Sequence, residues 1–73
     1  MIMYVNGREV DVPSNENGEV DVVDVRRRAN VPNDRMLMRQ TSAGENIILP
    51  THGAIRTNPY EHFMEAARGR RGL

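Results

Sequence analysis

Apolar residues in this chain come in short runs separated by turn-forming polar stretches, and the period differs from run to run. In IMYVNGREVDV, residues 2–12, β-branched and apolar residues flank Asn6-Gly7. That dipeptide accepts the positive φ of a two-residue hairpin turn, so two antiparallel strands are predicted. Ile2, Tyr4, Val10 and Val12 are expected to share one face. PSNENGE, residues 13–19, has no apolar period and reads as a loop.

VDVVDVRRRAN, residues 20–30, pulls two ways. Valine favours strands, yet Val22, Val25 and Ala29 fall on one helical stripe, and a helix is expected. Asp21 can cap it, Asp24 lies in its first turn and Arg26, Arg27 and Arg28 in its last, as the helix dipole favours. Asn30 can take the left-handed position that ends the helix, and Pro32 prevents its resumption. MLMRQTSAGENIILP, residues 36–50, then reads as a second hairpin, followed by a turn at Thr51 to Gly53 and a short strand, AIRT.

NPYEHFMEAARG, residues 58–69, supports two readings. Asn58 as cap, Pro59 at the first helical position and Glu61 at the third form a helix-start signature, with Tyr60, Phe63, Met64 and Ala67 along one face. A final strand is the alternative, for a reason given below.

Composition narrows the function classes. The chain has 73 residues, three aromatics and no cysteine, so one small domain without disulfides or thiol chemistry is expected. All ten basic residues are arginine; Schiff-base and phosphate-loop lysines are therefore excluded. Formal net charge is zero, but residues 1–25 carry six acids against Arg8, whereas 26–39 carry five arginines against Asp34, a dipolar distribution. With no basic leader and no run of 18 apolar residues, the expectation is a soluble cytoplasmic monomer without membrane contact.

Hairpin, helix and further strands form the order of the β-grasp fold. On YVNGREVDV as opening hairpin, and on VPND (Val31 to Asp34) leading into Arg35, Met36, Leu37 and Met38, the chain resembles ubiquitin-like proteins. Within that group it is similar to the small bacterial domains of the multiubiquitin type. The resemblance implies an α+β domain, a mixed sheet packed on one main helix, over residues 1–67, with a flexible basic tail at 68–73. It also implies that residues 60–67 close the sheet as a strand or irregular segment, against the local helix signature. The implied function is protein binding, with a role as a protein modifier, or as a component of a bacterial ubiquitin-like system, as the extension of it.

Three candidate surfaces follow. On a strand, Leu37 shares a face with Arg35 and Arg39, opposite Met36 and Met38. If the methionines are core, Leu37 is an exposed apolar spot with a basic rim, the kind of surface ubiquitin-like proteins offer to partners; if Leu37 is core, the methionines face out. The tail Arg68-Gly69-Arg70-Arg71-Gly72 has the basic, glycine-punctuated composition of a modifier terminus, but lacks a diglycine and is followed by Leu73. Processing by a peptidase to expose Gly72 for an activating enzyme, a binding domain that is never conjugated, and terminal residues without special role are the three readings. Finally, Arg26, Arg27, Arg28, Arg35 and Arg39 suggest a nucleic-acid surface as the rival class; zero net charge and few aromatics weigh against it. No catalytic, metal or cofactor residues are assigned: the hydroxyls sit in turns, His52 and His62 lack a ligand spacing, and Asp21 with Asp24 reads as capping. An enzyme is not expected.

Overall fold

A computed structural model describes residues 1–67. Its elements are β1 (Ile2–Val5), β2 (Arg8–Asp11), β3 (Glu19–Asp21), α1 (Val22–Arg28), β4 (Arg35–Gln40), β5 (Asn46–Ile48), β6 (Ala54–Arg56) and β7 (His62–Ala67). Five strands form one mixed sheet in the order β2-β1-β7-β4-β5; β3 and β6 pair separately. The architecture is α+β, a small mixed sheet with one short helix.

Asn6 and Gly7 take φ of 55° and 79°, the left-handed values that a two-residue turn requires at both central positions. That turn sets the register: Val5 faces Arg8, Met3 faces Val10 and Ile2 faces Asp11. Odd residues of β1 therefore share a face with even residues of β2. Met3, Val5 and Val12 are buried, while Ile2 and Tyr4 lie on the opposite face beside Asp11 and Glu9. The expected grouping of Ile2 and Tyr4 with Val10 and Val12 is corrected accordingly, because a two-residue loop pairs positions of unlike parity.

Helix α1 begins as expected: the Asp21 carboxylate accepts the Val23 N–H at 3.0 Å. It ends at Asn30, φ 58°, with the Val31 N–H donating to the Arg26 carbonyl at 2.8 Å. Val22 and Val25 are fully buried. Arg26 is buried as well, at 8% exposure; its Nη2 donates to the carbonyls of Pro32 at 2.6 Å and Arg35 at 2.8 Å, tying the helix to the start of β4.

The open question at residues 58–67 resolves as a strand. The helix-start contact does form: Glu61 Oε1 accepts the Asn58 N–H at 3.1 Å and the Thr57 hydroxyl at 2.5 Å. Between them, however, Tyr60 adopts φ 64° and donates its N–H to the Ile2 carbonyl at 2.7 Å, which turns the chain into the sheet. There β7 pairs parallel with β1 and antiparallel with β4, and Phe63 enters the core at 2% exposure. Burying the chain's only phenylalanine and pairing both strand edges outweigh one helical cap.

The core lies between one sheet face and α1: Met3, Val5, Val12, Val20, Val25, Val31, Leu37, Leu49 and Phe63. Among the described residues no helix is long and apolar enough to cross a membrane.

Candidate interaction surface on the sheet

Strand alternation and the core's location fix the other face. Leu37 is 1% exposed and packs with Phe63 and Leu49 on the helix side. Leu37 therefore cannot serve as the exposed apolar spot expected between Arg35 and Arg39; its burial turns the methionines outward. The two arginines share Leu37's face of β4 and are engaged there. Arg35 Nε lies 3.1 Å from Glu65 Oε2, an ion pair set off the hydrogen-bond axis. Arg39 Nη1 donates to the Arg56 carbonyl at 2.8 Å and lies 3.8 Å from Glu61 Oε1.

What the outward face carries follows from the register. Met38 stands opposite Met64 and Ile48, Met36 opposite Ala66, and Gln40 opposite His62. His62 is also opposite Tyr4, whose other neighbour is Glu9. The side chains shield one another, so Met36, Met38, Met64, Ala66 and Tyr4 are half-buried, while Ile48 is 59% exposed. Three of the five methionines thus form the centre of an apolar patch. Their unbranched, polarizable side chains suit a surface that accommodates a partner's shape.

At one end of this patch the rings gather. Tyr4 stacks on His62 with centroids 5.0 Å apart and planes at 21°, and Tyr60 lies 6.2 Å from Tyr4. Tyr60 is 58% exposed despite a left-handed backbone that, for a bulky residue, costs of order 1 kcal/mol or more. Sequence reasoning missed this cluster. Residues 4, 60 and 62 are brought together by the parallel β1–β7 pair, which the sequence, open between helix and strand at 58–67, does not reveal.

Beside His62, Gln40, Thr41, Ser42, Gly44 and Glu61 line a depression of ≈ 380 Å³. Its composition invites comparison with a hydrolytic triad. No hydrogen bond joins Ser42 to His62 among the described residues, and the Glu61 carboxylate is occupied by Thr57, Asn58 and Arg39. His52 Nδ1 is hydrogen-bonded to the neighbouring Thr51 hydroxyl at 3.2 Å. Among the described residues no group of three or more His, Asp or Glu side chains could hold a metal ion.

The arginines of the rival reading are individually engaged. Arg26 is buried on two carbonyls, Arg27 pairs with Asp24, and Arg28 donates to the Asp11 carbonyl at 3.4 Å. Arg68, Gly69, Arg70, Arg71 and Gly72, on which the modifier reading depends, lie outside the described residues. The chain matches no family model, no curated protein and no solved structure.

Proposed function

We propose that this chain is a ubiquitin-like domain of β-grasp type that binds protein partners through the outer face of its five-stranded sheet. The fold assignment draws support from a central parallel β1–β7 pair, hairpins at both edges and a helix against one face. Function rests on a single observation: the sheet face away from the helix carries an apolar patch, with Met36, Met38, Met64, Ala66 and Ile48 contiguous across three strands. Turning these side chains to solvent gains nothing for the core, whereas desolvating them against a partner is favourable. Modifier chemistry at Gly72, with an activating enzyme or peptidase as partner, is the proposed extension in a bacterial setting.

Met38→Asp and Met64→Asp test the binding reading against Val23→Asp on the exposed side of α1. The first two variants are expected to remain folded by far-UV circular dichroism and to lose partner binding. Val23→Asp is expected to retain it. Equal retention by all three would sink the proposal.

A further inference from the structure

Deepening the reading of the sheet face as a protein-binding surface, and resting on it, we propose that the row Glu9, Tyr4, His62 and Tyr60 takes the guanidinium of an arginine presented by a partner polypeptide. The chain has only three aromatic residues. Two of them are withheld from the core and assembled with a histidine on the solvent side, with ring centroids at 5.0 and 6.2 Å. Tyr60 is 58% exposed, and an aromatic face open to solvent attracts cations through its quadrupole.

The charge beside the rings selects the same kind of ligand. Glu9 stands directly across the hairpin from Tyr4 on the same face and has no hydrogen bond or ion pair among the described residues. Asp11, the next acid along that edge, receives the Met1 ammonium at 3.2 Å, which also donates to the Val12 carbonyl at 2.8 Å. Arg8 belongs by register to the opposite face, across from Val5. Glu9 is thus a carboxylate next to a ring stack; Arg8 and Arg28 line a depression at the hairpin edge with it, but neither forms an ion pair with it among the described residues, so its charge is left for a ligand's cation.

Arginine fits better than lysine. Its planar guanidinium can lie on a tyrosine face while its N–H fork donates in plane to a carboxylate, and it sheds water more readily than an ammonium. The strain at Tyr60 has a use in this arrangement. Its left-handed φ accompanies a second ring placed beside Tyr4, where a relaxed backbone would continue as helix or extended strand.

The test is an NMR titration of the uniformly ¹⁵N-labelled full chain with acetyl-Gly-Arg-Gly-Arg-Gly-amide, and with the same peptide carrying citrulline in place of arginine. Saturable shifts at Glu9, Tyr4, Tyr60 and His62 with the arginine peptide alone are expected. Glu9→Gln and Tyr60→Asn, the latter compatible with the positive φ, should each weaken binding about threefold or more. Equal shifts from the two peptides, shifts centred on other acids such as Asp34 or Glu45, or unchanged affinity in both variants would overturn the proposal. Shifts at the same four residues on raising protein concentration without peptide would overturn the assignment to a foreign chain and make a second copy the occupant. Val23→Asp, on the helix and outside the outer sheet face, should bind the peptide within about twofold of wild type, and a loss as large as that of Glu9→Gln would overturn the proposal. A silent titration with partner binding intact removes the arginine row alone and leaves the broader reading in place.

Discussion

Replacing Arg26 by methionine keeps an unbranched stem of similar reach and removes two hydrogen bonds from a buried cation. Arg26 is 8% exposed, and its guanidinium bridges the Pro32 and Arg35 carbonyls at 2.6 and 2.8 Å, so the helix end, the following loop and the start of β4 share one anchor. Hydrogen bonds to charged groups contribute about 1.5 to 3 kcal/mol each; since both here use one nitrogen and the freed carbonyls can recruit water, the net loss is put at about 2 to 4 kcal/mol. A domain of this length has about 4 to 11 kcal/mol of stability in all. With a urea slope of about 1 kcal/mol/M for so small a chain, the midpoint should fall by about 2 to 4 M. Equilibrium urea unfolding followed by far-UV circular dichroism measures it. A loss under about 0.5 kcal/mol would refute the claim that Arg26 is a structural anchor.

Further outcomes are expected from the same geometry. Leu37→Ala should cost about 2 to 5 kcal/mol by leaving a core cavity, whereas Met38→Ala, on the solvent side of the same strand, should cost well under half as much; comparable losses would contradict the assignment of faces. Asp21→Ala, which removes the cap on Val23, should destabilise by about 1 kcal/mol in thermal or urea unfolding, with no loss meaning the cap is dispensable. Gly7→Ala should cost about 1 kcal/mol because φ 79° is strained for any L side chain, and a neutral result would argue against the two-residue turn. For the rival function, Arg27→Gln with Arg28→Gln is the clean variant, since Arg26 cannot be changed without destabilising the fold. A salt-dependent mobility shift with DNA or RNA, lost in that double variant, would favour nucleic acid. For the modifier extension, intact mass analysis of protein from its native host should show a form lacking Leu73 or adducts ending at Gly72; full-length free chain alone would remove that extension.

Local chemistry carried much of the fold into the sequence. Asn6-Gly7 announces the first hairpin, Asp21 and Asn30 mark both ends of α1, and the turn around Gly44 joins β4 to β5, because each depends on residues within a few positions. Strand β3 was invisible for the opposite reason. Glu19 belongs by composition to the loop, Val20 and Asp21 open the segment read as helix, and the three are extended because β6, some 35 positions later, pairs with them. At Glu61 the local signal was real and still misleading: its capping contacts form, yet Tyr60 turns the chain and Phe63 is drawn into the core. The apolar patch was half legible. Alternation put Leu37 and the two methionines on opposite faces of β4, but which face met the helix depended on Phe63 and Leu49, residues of two other strands.

The most direct test of the central claim places a photo-crosslinking residue at Met38, on the outer sheet face, or at Val23, exposed on the helix, in protein expressed in its native host. The account predicts a discrete protein adduct from position 38 that disappears when Met64→Asp is added, and none of that mass from position 23. An adduct from position 23 alone, or one from position 38 that is indifferent to Met64→Asp, would contradict it.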